Sequence, residues 1–181
     1  MQIRETSIAG LVEIFPRVFG DDRGVFFESY NEETFKKLGL PVNFVQDNQS
    51  FSKKGVVRGL HFQNAPFAQG KLVRVISGRV LDVAVDIRPD SPTFGKHEVF
   101  ELSGTQNNIA YIPEGFAHGF VALEDSVFSY KCTNLYNKES ESGILWNDPD
   151  LNINWGVTDP IVSEKDLILP TFRSLFGELI K

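Results

Sequence analysis

The 181-residue sequence contains one cysteine, Cys132, one methionine and three histidines, His61, His97 and His118. A lone cysteine cannot close an internal disulfide, which excludes a disulfide-stapled secreted fold. No apolar run approaches the ~20 residues needed to span a bilayer. The first eleven residues place polar and charged side chains where a signal peptide would need an apolar core. The expected setting is therefore cytoplasmic, with no membrane partner. Positive charge is also short: 18 Lys+Arg against 24 Asp+Glu leave a net charge of −6. Binding a phosphate backbone wants a basic surface, so nucleic acid is not an expected partner. Any anionic ligand must be held by a few placed cations.

What is present reads as a single domain over residues 1–181. Hydrophobic residues make up 41% and charged residues 23%, ordinary for a soluble globular chain. No repeat, low-complexity tract or Pro/Gly/Ser-rich linker interrupts it. Helical signal is sparse. Asn31 caps a short helical pattern over residues 31–38 that stops at Gly39, and the residues after Pro170 could hold another turn or two. Elsewhere, short β-rich runs are broken by Gly, Pro, Asn and Asp, and 16 phenylalanines suit strands and apolar pockets. A mostly-β sandwich or barrel is expected.

Two segments carry local detail. In residues 71–88, Ser77-Gly78 reads as a two-residue hairpin turn. Pairing Ile76 with Arg79 sets Val73 opposite Asp82 and Lys71 opposite Ala84, so Lys71 shares a face with Asp82 and Asp86. A solvated sheet face would accommodate that set, and so would a barrel lumen that carries chemistry. In residues 109–133, a turn at Glu124-Asp125 would pair Gly119 with Tyr130 and send His118 to the opposite face. Only a bulge, for which Gly119 is the natural place, or a loop of different parity would bring His118 and Tyr130 together.

The spacing Pro113-x-Gly115-x-x-His118 resembles the second half of a cupin motif. The first half would supply His-x-His, but His61 is followed by Phe62-Gln63. Two histidines without a flanking carboxylate are a poor site for zinc or iron, so no metal is expected, and metal-dependent cupin chemistry is disfavoured. His97, beside Lys96, reads as a surface residue.

The segments Asp22-Arg23-Gly24-Val25-Phe26-Phe27-Glu28, Phe44-Val45-Gln46-Asp47-Asn48, Arg58-Gly59-Leu60-His61, Ala68-Gln69-Gly70-Lys71 and Pro113-Glu114-Gly115-Phe116-Ala117-His118-Gly119-Phe120 occur in order along the chain. Together they resemble the thymidine-diphosphate-4-dehydrorhamnose 3,5-epimerases. The resemblance runs from about Phe19 to about Asp166. It implies an all-β, cupin-type jelly roll with a few short helices, a homodimer, and no cofactor. The implied reaction converts dTDP-4-dehydro-6-deoxy-D-glucose into dTDP-4-dehydro-L-rhamnose by inversion at carbons 3 and 5. Both protons are acidified by the 4-ketone, so the chemistry needs a base, an enolate stabiliser and an acid on the other face.

By this resemblance His61 is the base, with Asp166 fixing its tautomer. Tyr130 is the acid, and Lys71 stabilises the enolate oxygen. Arg23 and Arg58 match positions contacting nucleotide or phosphate, and Glu28 a position near thymine or its deoxyribose. Gln46, Asp47 and Asn48 span a further contact segment, and His118 faces the sugar. Glu141 and Lys165 are weaker substrate-binding matches. Phe26, Phe116 and Phe120 are expected in the core. Two departures stand out: Asn64-Ala65-Pro66-Phe67 replaces a common Pro-Pro pair, and Cys132 stands where threonine is common. The resemblance also leaves open an epimerase of carbon 3 or carbon 5 alone, a 3,4-ketoisomerase, or a non-catalytic nucleotide-sugar-binding cupin.

Overall fold

Period-two alternation with apolar residues on both faces dictates strands covered from both sides, and the computed structural model of residues 1–179 shows how each side is covered. Fourteen strands are described: β1 Gln2–Glu5, β2 Val12–Phe15, β3 Val18–Asp21, β4 Gly24–Phe27, β5 Gln46–Ser52, β6 Val56–Gln63, β7 Lys71–Ser77, β8 Arg79–Asp86, β9 His97–Ser103, β10 Ile109–Ile112, β11 Phe116–Ala122, β12 Ser126–Cys132, β13 Glu141–Gly143 and β14 Ile161–Val162. Short helices α1 Glu32–Lys37, α2 Glu164–Leu167 and α3 Phe172–Phe176 complete the set, with 3-10 turns at Lys138–Ser140 and Gly177–Leu179. Among the described residues no helix is long and apolar enough to cross a membrane.

The first sheet runs β1-β2-β10-β7-β12-β5; the second runs β13-β6-β11-β8-β9, with β14 added parallel to β6. This is the all-β jelly roll expected. Strands β3 and β4 form a separate two-stranded arm.

Val73 and Val75 of β7 and Phe128 of β12 meet Val80 and Ala84 of β8, Phe100 of β9 and Phe116 and Phe120 of β11 between the sheets. The alternate residues of β8, Leu81, Val83 and Val85, face outward under Trp155 and Phe172 of the C-terminal segment. Phe35 of α1 packs on the outer face of the first sheet with Ile14, Leu72 and Ile109. Helix α1 starts where expected: the Asn31 side chain accepts from the Thr34 amide at 3.1 Å. Helix α3 follows Pro170 directly as a short helix capped by Thr171.

Several expectations are corrected. Strands β7 and β8 do not pair: β7 lies between β10 and β12, and β8 between β9 and β11. Ser77-Gly78 carries the chain from one sheet to the other. Gly78 has φ +83, and a Cβ there would collide with the Asp125 carbonyl and the Ser126 hydroxyl, so only glycine makes the switch. Glu124-Asp125 likewise joins strands of different sheets, which removes the parity obstacle between His118 and Tyr130. The bulge at Gly119 exists, but against β6: the register shifts between His118 and Phe120. There Gly119 leaves no room for a Cβ, which would lie 2.6 Å from the Arg58 carbonyl oxygen.

Asp86 does not share a face with a free Lys71. It binds Arg88, Ser91 and Thr93, anchoring the loop before β9. Phe116 and Phe120 are core, whereas Phe26 on the arm is 67% exposed. His97 opens β9 opposite Val85 and is half-buried rather than a loop residue.

Candidate active site

The inner faces of the two sheets are apolar at one end and polar at the other, and the polar end is hollow. A cavity of about 560 Å³ is lined by His61, Lys71, His118, Tyr130, Asp166, Arg58 and Lys165, among others. A second, of about 290 Å³, adjoins it and adds Gln46, Asn48, Gln63, Gln69, Tyr136 and Glu141. His61, Lys71 and Tyr130 belong to both, so the two form one cleft with those three residues at its junction.

His61, on β6, directs Nε2 to Asp166 Oδ1 at 2.7 Å. Asp166 is presented by α2, whose first turn is capped by Ser163, and its second oxygen accepts from the Gly59 amide at 3.4 Å. Burial alone would raise the Asp166 pKa. The hydrogen bond and charge of His61, with the Gly59 and Ser163 contacts, outweigh burial and hold it below the ordinary carboxylate range. With Nε2–H donated to Asp166, Nδ1 is left as the basic atom of His61.

Across the β6–β11 ladder from His61 stands His118, whose Nε2 meets Asp82 Oδ2 at 2.7 Å. Both are buried. Burial pushes the His118 pKa down, Lys71 and His61 add to this, and Asp82 only partly opposes it. From the opposite sheet come Lys71 and Tyr130, with the Lys71 Nζ 5.9 Å from the centre of the Tyr130 ring. Burial lowers the Lys71 pKa, against Cys132, Asp82 and Glu141. Burial and Cys132 raise that of Tyr130, against Arg58, which keeps the phenol protonated at neutral pH.

Arg58 donates to the Ser52 hydroxyl and the Phe51 carbonyl at the cavity wall. Gln46 and Asn48 are hydrogen-bonded to each other at 3.1 Å in the second lobe. Asp47, between them, turns outward and pairs with Lys131 at 2.9 Å. Glu141 accepts from the Tyr136 hydroxyl and pairs with Lys165 at 2.7 Å, bridging the two lobes. Arg23 and Glu28 line neither lobe: Arg23 binds Asp21 on the arm, and Glu28 accepts from Asn31. Cys132 is buried, accepting from Asn48 at 3.6 Å.

Asp82, buried behind the cleft beside His118, and Gln63, Gln69 and Tyr136 of the second lobe escaped assignment from sequence. Asp82 had a partial signal: alternation put it on the same face as Val80 and Ala84, but its company with Lys71 rested on a β7–β8 hairpin that does not form. Tyr136 had none, because it lies in an irregular polar segment. Among the described residues no group of three or more His, Cys, Asp or Glu side chains could hold a metal ion. The arrangement offers a carboxylate-held imidazole, a buried lysine and a protonated phenol around one space.

The family model described as dTDP-4-dehydrorhamnose 3,5-epimerase matches residues 5–174. The chain belongs to the dTDP-4-dehydrorhamnose 3,5-epimerase family. The enzyme of that name from Shigella flexneri is 52% identical over 169 residues, covering 92% of this chain and 93% of its own. The crystal structure of the Elizabethkingia anophelis epimerase superposes with TM-score 0.92 at 51% identity, over 96% of this chain and 97% of that one. The Legionella pneumophila 3,5-epimerase, solved in complex with dTDP-4-keto-L-rhamnose, superposes with TM-score 0.93 at 45% identity, over 99% of this chain and 96% of that one. The epimerase family therefore covers the fold and every strand that lines the cleft.

Proposed function

We propose that the protein inverts carbons 3 and 5 of dTDP-4-dehydro-6-deoxy-D-glucose to give dTDP-4-dehydro-L-rhamnose, as a single epimerase domain without a cofactor. The observation that carries the reading is the convergence of the His61–Asp166 pair, Lys71 and Tyr130 on one cleft from both sheets. His61 Nδ1 takes the proton from the carbon beside the ketone, and the C–H electron pair moves into the enolate. Lys71 donates to the oxygen where that charge develops. Tyr130 then gives its hydroxyl proton to the carbon from the opposite face. Solvent removes the proton from the imidazolium and restores the phenol. His118 lines the sugar end, and Arg58 suits bidentate capture of a diphosphate oxygen.

The active form in this reading is a cytoplasmic homodimer. The β3–β4 arm exposes Phe19, Val25 and Phe26 by 50–67%, an apolar surface suited to a second copy. The Arg23 side chain is 90% exposed on the same arm, outside its own chain's cleft. Docking of the arm on the partner would bring Arg23 and Glu28 to the partner's nucleotide.

A proton NMR time course in heavy water with dTDP-4-dehydro-6-deoxy-D-glucose tests the function. Loss of both the carbon-3 and carbon-5 signals is expected. Loss of one alone would make the protein a mono-epimerase, and loss of neither with nucleotide bound would make it a binding protein.

A further inference from the structure

Asp82 lies in the middle of β8, with Phe100 of β9 and Phe120 of β11 as its ladder neighbours, and is fully buried. A carboxylate among phenylalanines needs compensation. One oxygen accepts from His118. The other, Oδ1, is the single buried side-chain nitrogen or oxygen among the described residues without a hydrogen-bond partner. His118 supplies a hydrogen bond but no charge, because burial keeps it neutral.

Alternation places the missing charge. On β8 the inward residues are Val80, Asp82 and Ala84; on β7, in the facing sheet, they are Lys71, Val73 and Val75. Lys71 thus confronts Asp82 across the hollow end of the sandwich. Like Asp82, it has no Asp, Glu, Lys or Arg ion partner within 4 Å among the described residues.

The other groups facing Lys71 do not serve. Cys132 and Tyr130 of β12 are held protonated by burial. Glu141 of β13 is engaged by Lys165 and Tyr136. His61 of β6 is engaged by Asp166, and His118 of β11 adds no negative charge.

We propose that Asp82 is the counter-ion that keeps Lys71 an ammonium, a positioning residue acting on the reaction through Lys71 without touching substrate. The inference rests on the reading of Lys71 as enolate stabiliser. A neutral amine donates a hydrogen bond but cannot meet the enolate with a charge.

The test is Asp82→Asn, which keeps the shape and an acceptor for His118. Its turnover should match the wild type within about twofold near pH 6 and fall about tenfold near pH 8, with KM unchanged. Equivalently, the basic limb of kcat moves down by about one pH unit. A uniform loss at every pH would overturn the inference, since it would mean that Asp82 only supports His118. So would an unchanged profile. Nitrogen NMR of lysine-labelled resting protein reads the same claim without turnover. The Lys71 resonance, assigned with Lys71→Arg, should titrate lower in Asp82→Asn and stay in place in His118→Gln, which keeps the carboxylate. Should Asp82→Asn not fold, the wild type alone decides: a Lys71 neutral at pH 7 contradicts the inference. An inactive wild type with Lys71 coupled to Asp82 would instead overturn the functional reading.

Discussion

His61 and His118 stand opposite each other on adjacent antiparallel strands, yet each ring is held by a different carboxylate at the same 2.7 Å. The environments differ. The His61 side chain is 32% exposed into the cleft and that of His118 only 8%. Only His61 combines an open ring nitrogen with access to solvent, as a base reset by water requires. His118→Leu should act first on stability. It leaves Asp82 in the core without its hydrogen-bond donor, at a cost of about 1–3 kcal/mol, or a fall in Tm of roughly 2–12 °C for a chain of this size. Calorimetry at pH 7 checks this.

Tyr130→Phe removes the acid and leaves the base. Proton abstraction should continue while inversion falls by about 10²–10⁴-fold, the usual contribution of a placed general acid. Solvent deuterium exchange measured beside product formation separates the two. Parallel loss of both would move Tyr130 to substrate positioning.

The arm can be tested by complementation. His61→Ala and Arg23→Ala are each expected to be weak, the first in kcat and the second in KM. Unfolded together and refolded, they form hybrids in which one cleft has both an intact His61 and the partner's Arg23. Activity should recover well above either parent. No recovery would place Arg23 in its own chain's cleft or outside any cleft.

Asp86 gives a pH-dependent stability with a defined sign. Burial alone would raise its pKa, but hydrogen bonds from Arg88, Ser91 and Thr93 bring it down to about 2. A carboxyl depressed on folding stabilises above its unfolded pKa near 4 and loses that contribution as pH falls toward its folded value. Asp86→Asn should therefore cost about 2 kcal/mol at neutral pH. The difference from wild type should vanish on titrating from about pH 4 to about pH 2, followed by urea unfolding.

Alternation made faces legible and left pairings illegible. The Val80–Asp86 run put Asp82 on the inward face of its strand, but its meeting with Lys71 is expected across a hairpin and occurs instead between two sheets. Which strand pairs with which depended on whether Ser77-Gly78 and Glu124-Asp125 close hairpins or switch sheets, and both motifs have the same local chemistry. Gly119 marked its bulge correctly, because a missing Cβ signals close approach whatever the neighbour. The His61–Asp166 pair spans 105 positions and a helix of one turn, so no local pattern reveals it; the family resemblance alone suggested it. Phe26 reads as core in the sequence because an aromatic on a protruding arm looks there like any strand aromatic.

The central claim is that one imidazole, His61, removes the protons from both carbons. The direct measurement is deuterium incorporation at carbons 3 and 5 by His61→Asn, against wild type, with nucleotide binding followed by calorimetry. The account predicts that exchange falls by about 10²–10⁴-fold at both carbons while dTDP still binds. Exchange persisting at the wild-type rate at either carbon would contradict it, because a second base would then serve that position.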